Sequence, residues 1–264
     1  MAAGKGGYFS PPLPRVLAHR GFAGVRPAPP VPENTLAAFA AAVSAGVGYI
    51  ETDVHASADG VAIISHDPDL RRVVGRAIAV CDLTAAQLAE VDLGGGHGFA
   101  TLRAALDANP GIRFNIDVKS ADAVLPTVRA VTECAALDRV LVTSFSEARR
   151  SAAVRHLPGV ASSASASRFA LAYLALQLRA PVIARRALRG IAAVQIPETY
   201  HGLRVVSAET VRRMHALGVE VHVWTVDDEA DMRRLLALGV DGLVTDRSDL
   251  AIKVVRNTGP GPRS

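Results

Sequence analysis

Four polar clusters fall within 50 residues near the start of the chain: His19-Arg20-Gly21, Pro32-Glu33-Asn34-Thr35, Glu51-Thr52-Asp53 and His66-Asp67. They gather two imidazoles, an arginine and several carboxylates, each group beside an apolar, strand-like run. Histidines move protons near neutral pH. The planar fork of an arginine suits phosphate oxygens. Grouped carboxylates suit a hard divalent cation. The inventory points to metal-assisted attack on a phosphate ester.

Spacing sharpens the reading. Glu51 and Asp53 stand at i and i+2 in a strand-like run, so both point to one face. Two such carboxylates repel unless a cation or proton shares the site. Asn115, Asp117 and Lys119 alternate with Ile116 and Val118 in the same way. Asp117 is then either a third metal carboxylate with Lys119 facing phosphate, or half of an internal Asp–Lys ion pair. Beside Glu51 and Asp53 the metal reading is favoured. His19 and His66 both end predicted strands next to acids, as an acid–base pair would. His55 shares the parity of Glu51 and Asp53 but is expected in the turn that follows. His222 and Trp224 share a face, with Trp224 nearer the strand's end and His222 in the core. His97, His156, His201 and His215 carry no such signal.

The elements needed to hold these groups follow a regular beat. Strands are predicted over 15–18, 49–54, 61–65, 113–118, 140–144, 159–162, 192–195, 220–225 and 242–245. Helical patterns separate them. Leu36, Phe39, Ala40 and Val43 lie on one helical face, with Asn34 or Thr35 as N-cap and Gly46 as the stop. Met232, Leu235 and Leu236 repeat the pattern late in the chain. About eight strand–helix units in this length fit a closed TIM (β/α)8 barrel over 1–256. Catalytic groups in such a barrel collect at the strands' C-terminal ends. An open doubly wound sheet is the alternative, weakened by the absence of a GxGxxG after the first strand. Residues 67–100 break the beat and read as a small insertion over the mouth. Within it Gly94 to Gly98 reads as a flexible loop. The tail 257–264 reads as disordered.

Composition excludes several classes. The 264 residues carry a net charge of +4, and half are apolar, enough for a large core. No basic patch is interleaved with aromatics, so nucleic acid is not an expected partner. The only cysteines, Cys81 and Cys134, form no CxxC, which argues against structural zinc. No h-region follows Lys5, and the apolar run 169–176 is too short to span a bilayer. A soluble cytoplasmic protein without stable membrane insertion is expected.

Taken together, the ordered motifs resemble the glycerophosphodiester phosphodiesterase family. They are Ala18-His19-Arg20-Gly21, Pro32-Glu33-Asn34-Thr35, Glu51-Thr52-Asp53-Val54, Asp59-Gly60, His66-Asp67, Asn115-Ile116-Asp117-Val118-Lys119, Trp224-Thr225-Val226, Gly239-Val240-Asp241-Gly242 and Thr245-Asp246. The resemblance implies a TIM barrel that hydrolyses a small glycerophosphodiester to sn-glycerol 3-phosphate and an alcohol. It implies His19 and His66 as the acid–base pair and Arg20 on the phosphate. Glu51, Asp53 and Asp117 would hold Mg2+ or Ca2+. Glu33 and Asn34 would shape the substrate site, with Lys119 and Trp224 at its wall. Asp117 stands where the family often has glutamate, and Ser248 where it often has proline. Two alternatives accompany this reading. One is a phospholipase D-like or lyase action on lysolipids giving cyclic phosphate, with 169–176 and the nearby arginines favouring lipid approach. The other is a non-catalytic barrel that binds a phosphate ligand.

Overall fold

The computed structural model describes residues 7–23 and 31–258. Eleven strands are described: β1 Arg15–His19, β2 Tyr49–Ala56, β3 Ala62–Ile64, β4 Arg113–Val118, β5 Val140–Thr143, β6 Ala161–Ser162, β7 Ala193–Pro197, β8 Thr199–Tyr200, β9 Leu203–Arg204, β10 Glu220–Trp224 and β11 Gly242–Thr245. Between them run helices α1 Leu36–Ser44, α2 Arg71–Val74, α3 Ala85–Ala89, α4 Leu102–Ala108, α5 Val124–Glu133, α6 Glu147–His156, α7 Ala166–Gln177, α8 Pro181–Ala187, α9 Ala208–Ala216, α10 Glu229–Ala237 and α11 Ser248–Thr258.

Eight strands pair in parallel in the order β6-β5-β4-β2-β1-β11-β10-β7. A parallel bridge between Ser163 and Ala193 brings the two outer strands together. The architecture is the expected TIM barrel, with β3 added antiparallel to β2. The small ribbon of β8 and β9 follows β7 and was not anticipated from the sequence. It is two residues a side, too short to show an alternation.

Strand alternation splits the core into two layers. Outward residues such as Ile50, Val54, Phe114, Ile116 and Val142 pack under the helices with Phe39, Leu102 and Leu106. Phe39 and Phe114 meet edge to face, 5.8 Å between ring centroids. On the other side Val194, Val221, Val223 and Leu243 pack against Met214, Met232 and Leu235. Thr35 is the N-cap of α1, its side chain accepting from the Ala38 N–H. Thr101, Ser146, Ser207 and Asp228 cap four other helices in the same way.

The barrel interior changes character from bottom to top. The floor is apolar: Tyr8, Leu17, Tyr49, Leu141, Ala161, Ala193 and Val244. Tyr8 comes from a 3-10 turn, Gly7–Phe9, that plugs the strands' N-terminal end and accepts a hydrogen bond from the Tyr49 hydroxyl at 2.8 Å. Beside it, buried Arg15 grips Glu220 with two hydrogen bonds of 2.8 and 2.9 Å and donates to Tyr49 Oη at 2.6 Å. Above lie Asn115, Gln195 and His222, joined by contacts of 3.3 and 3.4 Å. His222 is fully buried, as expected of a core histidine. Gly242 leaves room for its ring, since a Cβ there would sit 2.7 Å from His222 Cδ2.

Residues 67–100 carry α2, α3 and a 3-10 turn over a small cluster of Ile63, Leu70, Val80, Leu88, Val91 and Phe99. The glycine run is closed by its own bonds: Asp92 Oδ1 accepts from the N–H groups of Gly94 and Gly96. Of the tail 257–264, Asn257 and Thr258 belong to α11, and 259–264 lie outside the described residues.

The Arg15–Glu220 pair generates a pH dependence. Burial, the largest influence on Glu220, raises its pKa, but the bonds from Arg15 and His222 outweigh it and hold the carboxyl at about 2 against an ordinary 4.5. A depressed carboxyl stabilises the fold above its unfolded pKa and loses that contribution as pH falls through the folded one. Glu220→Gln is expected to cost roughly 2–3 kcal/mol at pH 7. In urea titrations its deficit against the parent protein should shrink from about pH 5 downward and vanish near pH 2.

Candidate active site

The mouth is assembled at the C-terminal ends of β1, β2 and β4. Register places His19 beside Glu51, Glu51 beside Asn115, and Asp53 beside Asp117. Glu51, Asp53 and Asp117 are all buried, so the two-residue alternation puts three carboxylates in one enclosed space. Lys119 stands between two of them, with Nζ 2.8 Å from Asp53 Oδ1 and 2.7 Å from Asp117 Oδ2. The Asp117–Lys119 ion pair is thus present, beside carboxylates that lie close enough to share a site. Arg20 Nε lies 3.3 Å from Asp53 Oδ2, and its NH1 donates to Glu33 Oε1 at 3.0 Å.

Two left-handed residues make this packing of charge possible. Arg20 has φ 53° and Asn34 φ 57°, and the Asn34 N–H donates to the Arg20 carbonyl at 2.9 Å. Strain of this kind costs on the order of 1 kcal/mol or more per residue and persists where the surroundings enforce it. Here it turns the Arg20 guanidinium back toward Asp53. It also lets Asn34 donate to Asp53 Oδ2 at 3.1 Å while accepting from Thr52 Oγ1 at 2.8 Å. Gly21 serves the helix rather than a ligand: its φ is +87°, and a Cβ there would press within 2.8 Å of Ala38 in α1.

The electrostatics follow from burial and crowding. Burial first, then the charge of Asp53, pushes Glu51 up to about 8, so this acid takes up a proton far more readily than an exposed one. Burial also raises Asp117, with Lys119 pulling the other way. Asp53 is lowered: burial opposes ionisation, but Lys119 and Arg20 overcome it. Lys119 is raised in turn, the two carboxylates outweighing its own burial.

The two histidines share one arrangement. His19 Nδ1 lies 2.8 Å from Asp246 Oδ1, and His66 Nδ1 lies 2.8 Å from Asp67 Oδ1. A carboxylate on Nδ1 fixes the ring and its tautomer and leaves Nε2 for chemistry. His19 Nε2 is 4.0 Å from Glu51 Oε2. Burial would lower the His19 pKa, but Asp246 and the charge of Glu51 raise it above the ordinary imidazole value. His55 lies on β2 itself, not in a turn. It is buried, with Nε2 3.4 Å from the His66 carbonyl, and sits beneath the second histidine rather than among the carboxylates.

Several groups went unassigned at the sequence level. Asp246, from Thr245-Asp246, directly follows β11 at the same end of the barrel where His19 ends β1, so the rule that selected the histidines would also have found it. Arg72 of α2 ion-pairs with Asp67 and, at 2.6 Å, with Glu33, which ties the insertion to both halves of the mouth. Phe145, just beyond β5, lies under the Lys119 ammonium at 5.9 Å and edge-on to Trp224 at 6.1 Å. No alternation or charge signal marks it. Trp224 is at the mouth, where it was expected.

The donors suit a divalent cation in kind. Glu51 Oε2, Asp117 Oδ1 and Asn115 Oδ1 are buried acceptors without hydrogen-bond partners among the described residues, and all are hard oxygens. As they stand, no three His, Cys, Asp or Glu side chains among the described residues close around an ion. Lys119 supplies the positive charge between Asp53 and Asp117.

Comparison with known proteins bears on this geometry. Residues 19–250 match the model of the glycerophosphoryl diester phosphodiesterase family. The chain is 43% identical over 235 residues to the probable glycerophosphodiester phosphodiesterase 2 of Mycobacterium tuberculosis, covering 89% of this chain and 88% of that protein. It is 28% identical over 258 residues to a glycerophosphodiester phosphodiesterase of Caldanaerobacter subterraneus, covering 92% and 98%. In fold it resembles an Oleispira antarctica phosphodiesterase, solved in complex with the product sn-glycerol-3-phosphate, with a TM-score of 0.76 at 23% identity over 92% of this chain and 97% of that one. Sequence and fold agree: the chain belongs to the glycerophosphoryl diester phosphodiesterase family and is an enzyme of that class.

Proposed function

We propose that this phosphodiesterase hydrolyses small glycerophosphodiesters to sn-glycerol 3-phosphate and an alcohol, with His19 and His66 transferring the protons. The observation that carries this reading is the pair of imidazoles, each held at Nδ1 by its own carboxylate, at the edge of a mouth that also holds an arginine and three acids. Arg20 binds a phosphate oxygen through its fork. One histidine takes the proton of the attacking oxygen at Nε2. The other delivers a proton to the leaving alcohol, so no free alkoxide is released. Asp246 and Asp67 stabilise the imidazolium that each transfer creates or consumes. Asn34 and Lys119 hold Asp53 in place, and Trp224 with Phe145 walls one side of the mouth. Glu51, Asp53 and Asp117 would hold a divalent cation, Mg2+ or Ca2+, which when bound neutralises charge on the phosphate.

The test is release of glycerol 3-phosphate from glycerophosphocholine and glycerophosphoethanolamine with Mg2+, Ca2+ or chelator. Cation-dependent release is expected, and His19→Ala and His66→Ala should each lose roughly 10²–10⁴-fold in turnover. Full activity in strong chelator would refute the cation assignment, and wild-type turnover in both alanine variants would refute the acid–base pair. Asp246→Asn is expected to lower kcat roughly 10- to 100-fold with KM little changed, because it loosens a ring without touching substrate binding. An equal rise in KM would instead place Asp246 on the substrate.

A further inference from the structure

One group of arginines lies away from the catalytic mouth. Residues 169–197 contain four arginines, Arg179, Arg185, Arg186 and Arg189, and no acid. Within that segment α7 and α8 pack against each other through Ala172, Ala175, Leu176 and Ala184. Their outer surface is left apolar: Leu171, Leu174, Leu178, Val182 and Ile183 are between 51% and 79% exposed. Single exposed aliphatics are ordinary, but five on one helical pair form a patch that needs a reason. Arg179, Arg185, Arg186 and Arg189 are exposed around it, and their guanidinium groups make no hydrogen bond or ion pair among the described residues. A cleft of about 670 Å³ lined by Val182, Arg185, Arg186, Leu188, Arg189 and Leu217 opens between them.

We propose that this α7–α8 face docks the enzyme on an anionic membrane surface. Aliphatic side chains ringed by arginines match the acyl boundary below a layer of lipid phosphates. The long arginine stems let the charge reach the headgroups while the aliphatics go deeper. A second copy of the chain fits less well, because a two-fold contact through this patch sets arginine against arginine. Gly190 and Leu217 immediately precede β7 and β10, so the cleft lies at the strands' N-terminal end. A docked molecule therefore turns its catalytic mouth to the water. The face serves to localise the enzyme, and does not feed lipid into the site.

Flotation with vesicles tests this directly, using phosphatidylcholine alone and a mixture of two parts phosphatidylcholine to one part phosphatidylglycerol. The protein should float with the anionic vesicles only, and less so as salt is raised. The triple variant Arg185→Glu, Arg186→Glu, Arg189→Glu should lose at least about tenfold in partitioning. The double variant Leu178→Ser, Val182→Ser keeps every charge and should also lose about tenfold. Unchanged thermal midpoints would show that both are folded, and if the triple variant is not, the double variant decides. No flotation, equal flotation with neutral vesicles, or undiminished flotation of the folded variants would overturn the proposal. So would a concentration-dependent dimer in sedimentation velocity that Leu178→Ser, Val182→Ser abolishes, which would assign the face to a second copy. The readout does not use turnover, so its outcome is separate from that of the proposed reaction.

Discussion

Three buried carboxylates at the end of one barrel interior are the constraint around which the rest of the molecule is arranged. Charges of one sign so close together in a poorly solvated space are unstable without compensation. Lys119 between Asp53 and Asp117, and Arg20 beside Asp53, supply it from within the chain. Glu51 is left with the least help, which is why its carboxyl is pushed up to about 8. The left-handed turns at Arg20 and Asn34 exist to bring a cation and an amide back onto this cluster. The same crowding is what a phosphodiester reaction needs from its enzyme: a field that is fixed before substrate arrives.

Holding that field requires a rigid base. The floor of the barrel is closed by Tyr8, Tyr49 and the Arg15–Glu220 pair. Between floor and mouth, Asn115, Gln195 and His222 form a layer of neutral polar groups. Polarity therefore rises in steps from an apolar plug to a charged mouth. The outer helices pack against the barrel strands. Their apolar contacts with Ile50, Phe114 and Ile116 fix the strands that carry Glu51, Asp53 and Asp117.

The insertion has a double role. Its own small core makes it a folded piece, and Arg72 fastens it to Asp67 and Glu33. Asp67 thus steadies His66 while being steadied from the insertion. Away from the mouth, arginines without ion-pair partners among the described residues flank the exposed aliphatics of α7 and α8.

Much of this was legible in the chain itself. The alternation Glu51-Thr52-Asp53 and Asn115-Ile116-Asp117 fixes which side chains share a face, because strand geometry has a period of two whatever surrounds it. The strand–helix beat fixed the barrel, and strand ends marked His19, His66 and Trp224. Thr35 and Gly46 bounded α1 because capping is a local matter. Contacts between distant segments lay beyond local rules. That Asp246 would reach His19, that Lys119 would sit between two acids, that Arg72 would join Glu33 to Asp67 and that Tyr8 would plug the floor all depend on strand order and closure. Residue type and spacing determined which chemical groups were present and which way each pointed. Only the closed barrel decided which of them meet, because a parallel sheet pairs residues far apart in sequence and the energies of buried charges are set by those neighbours.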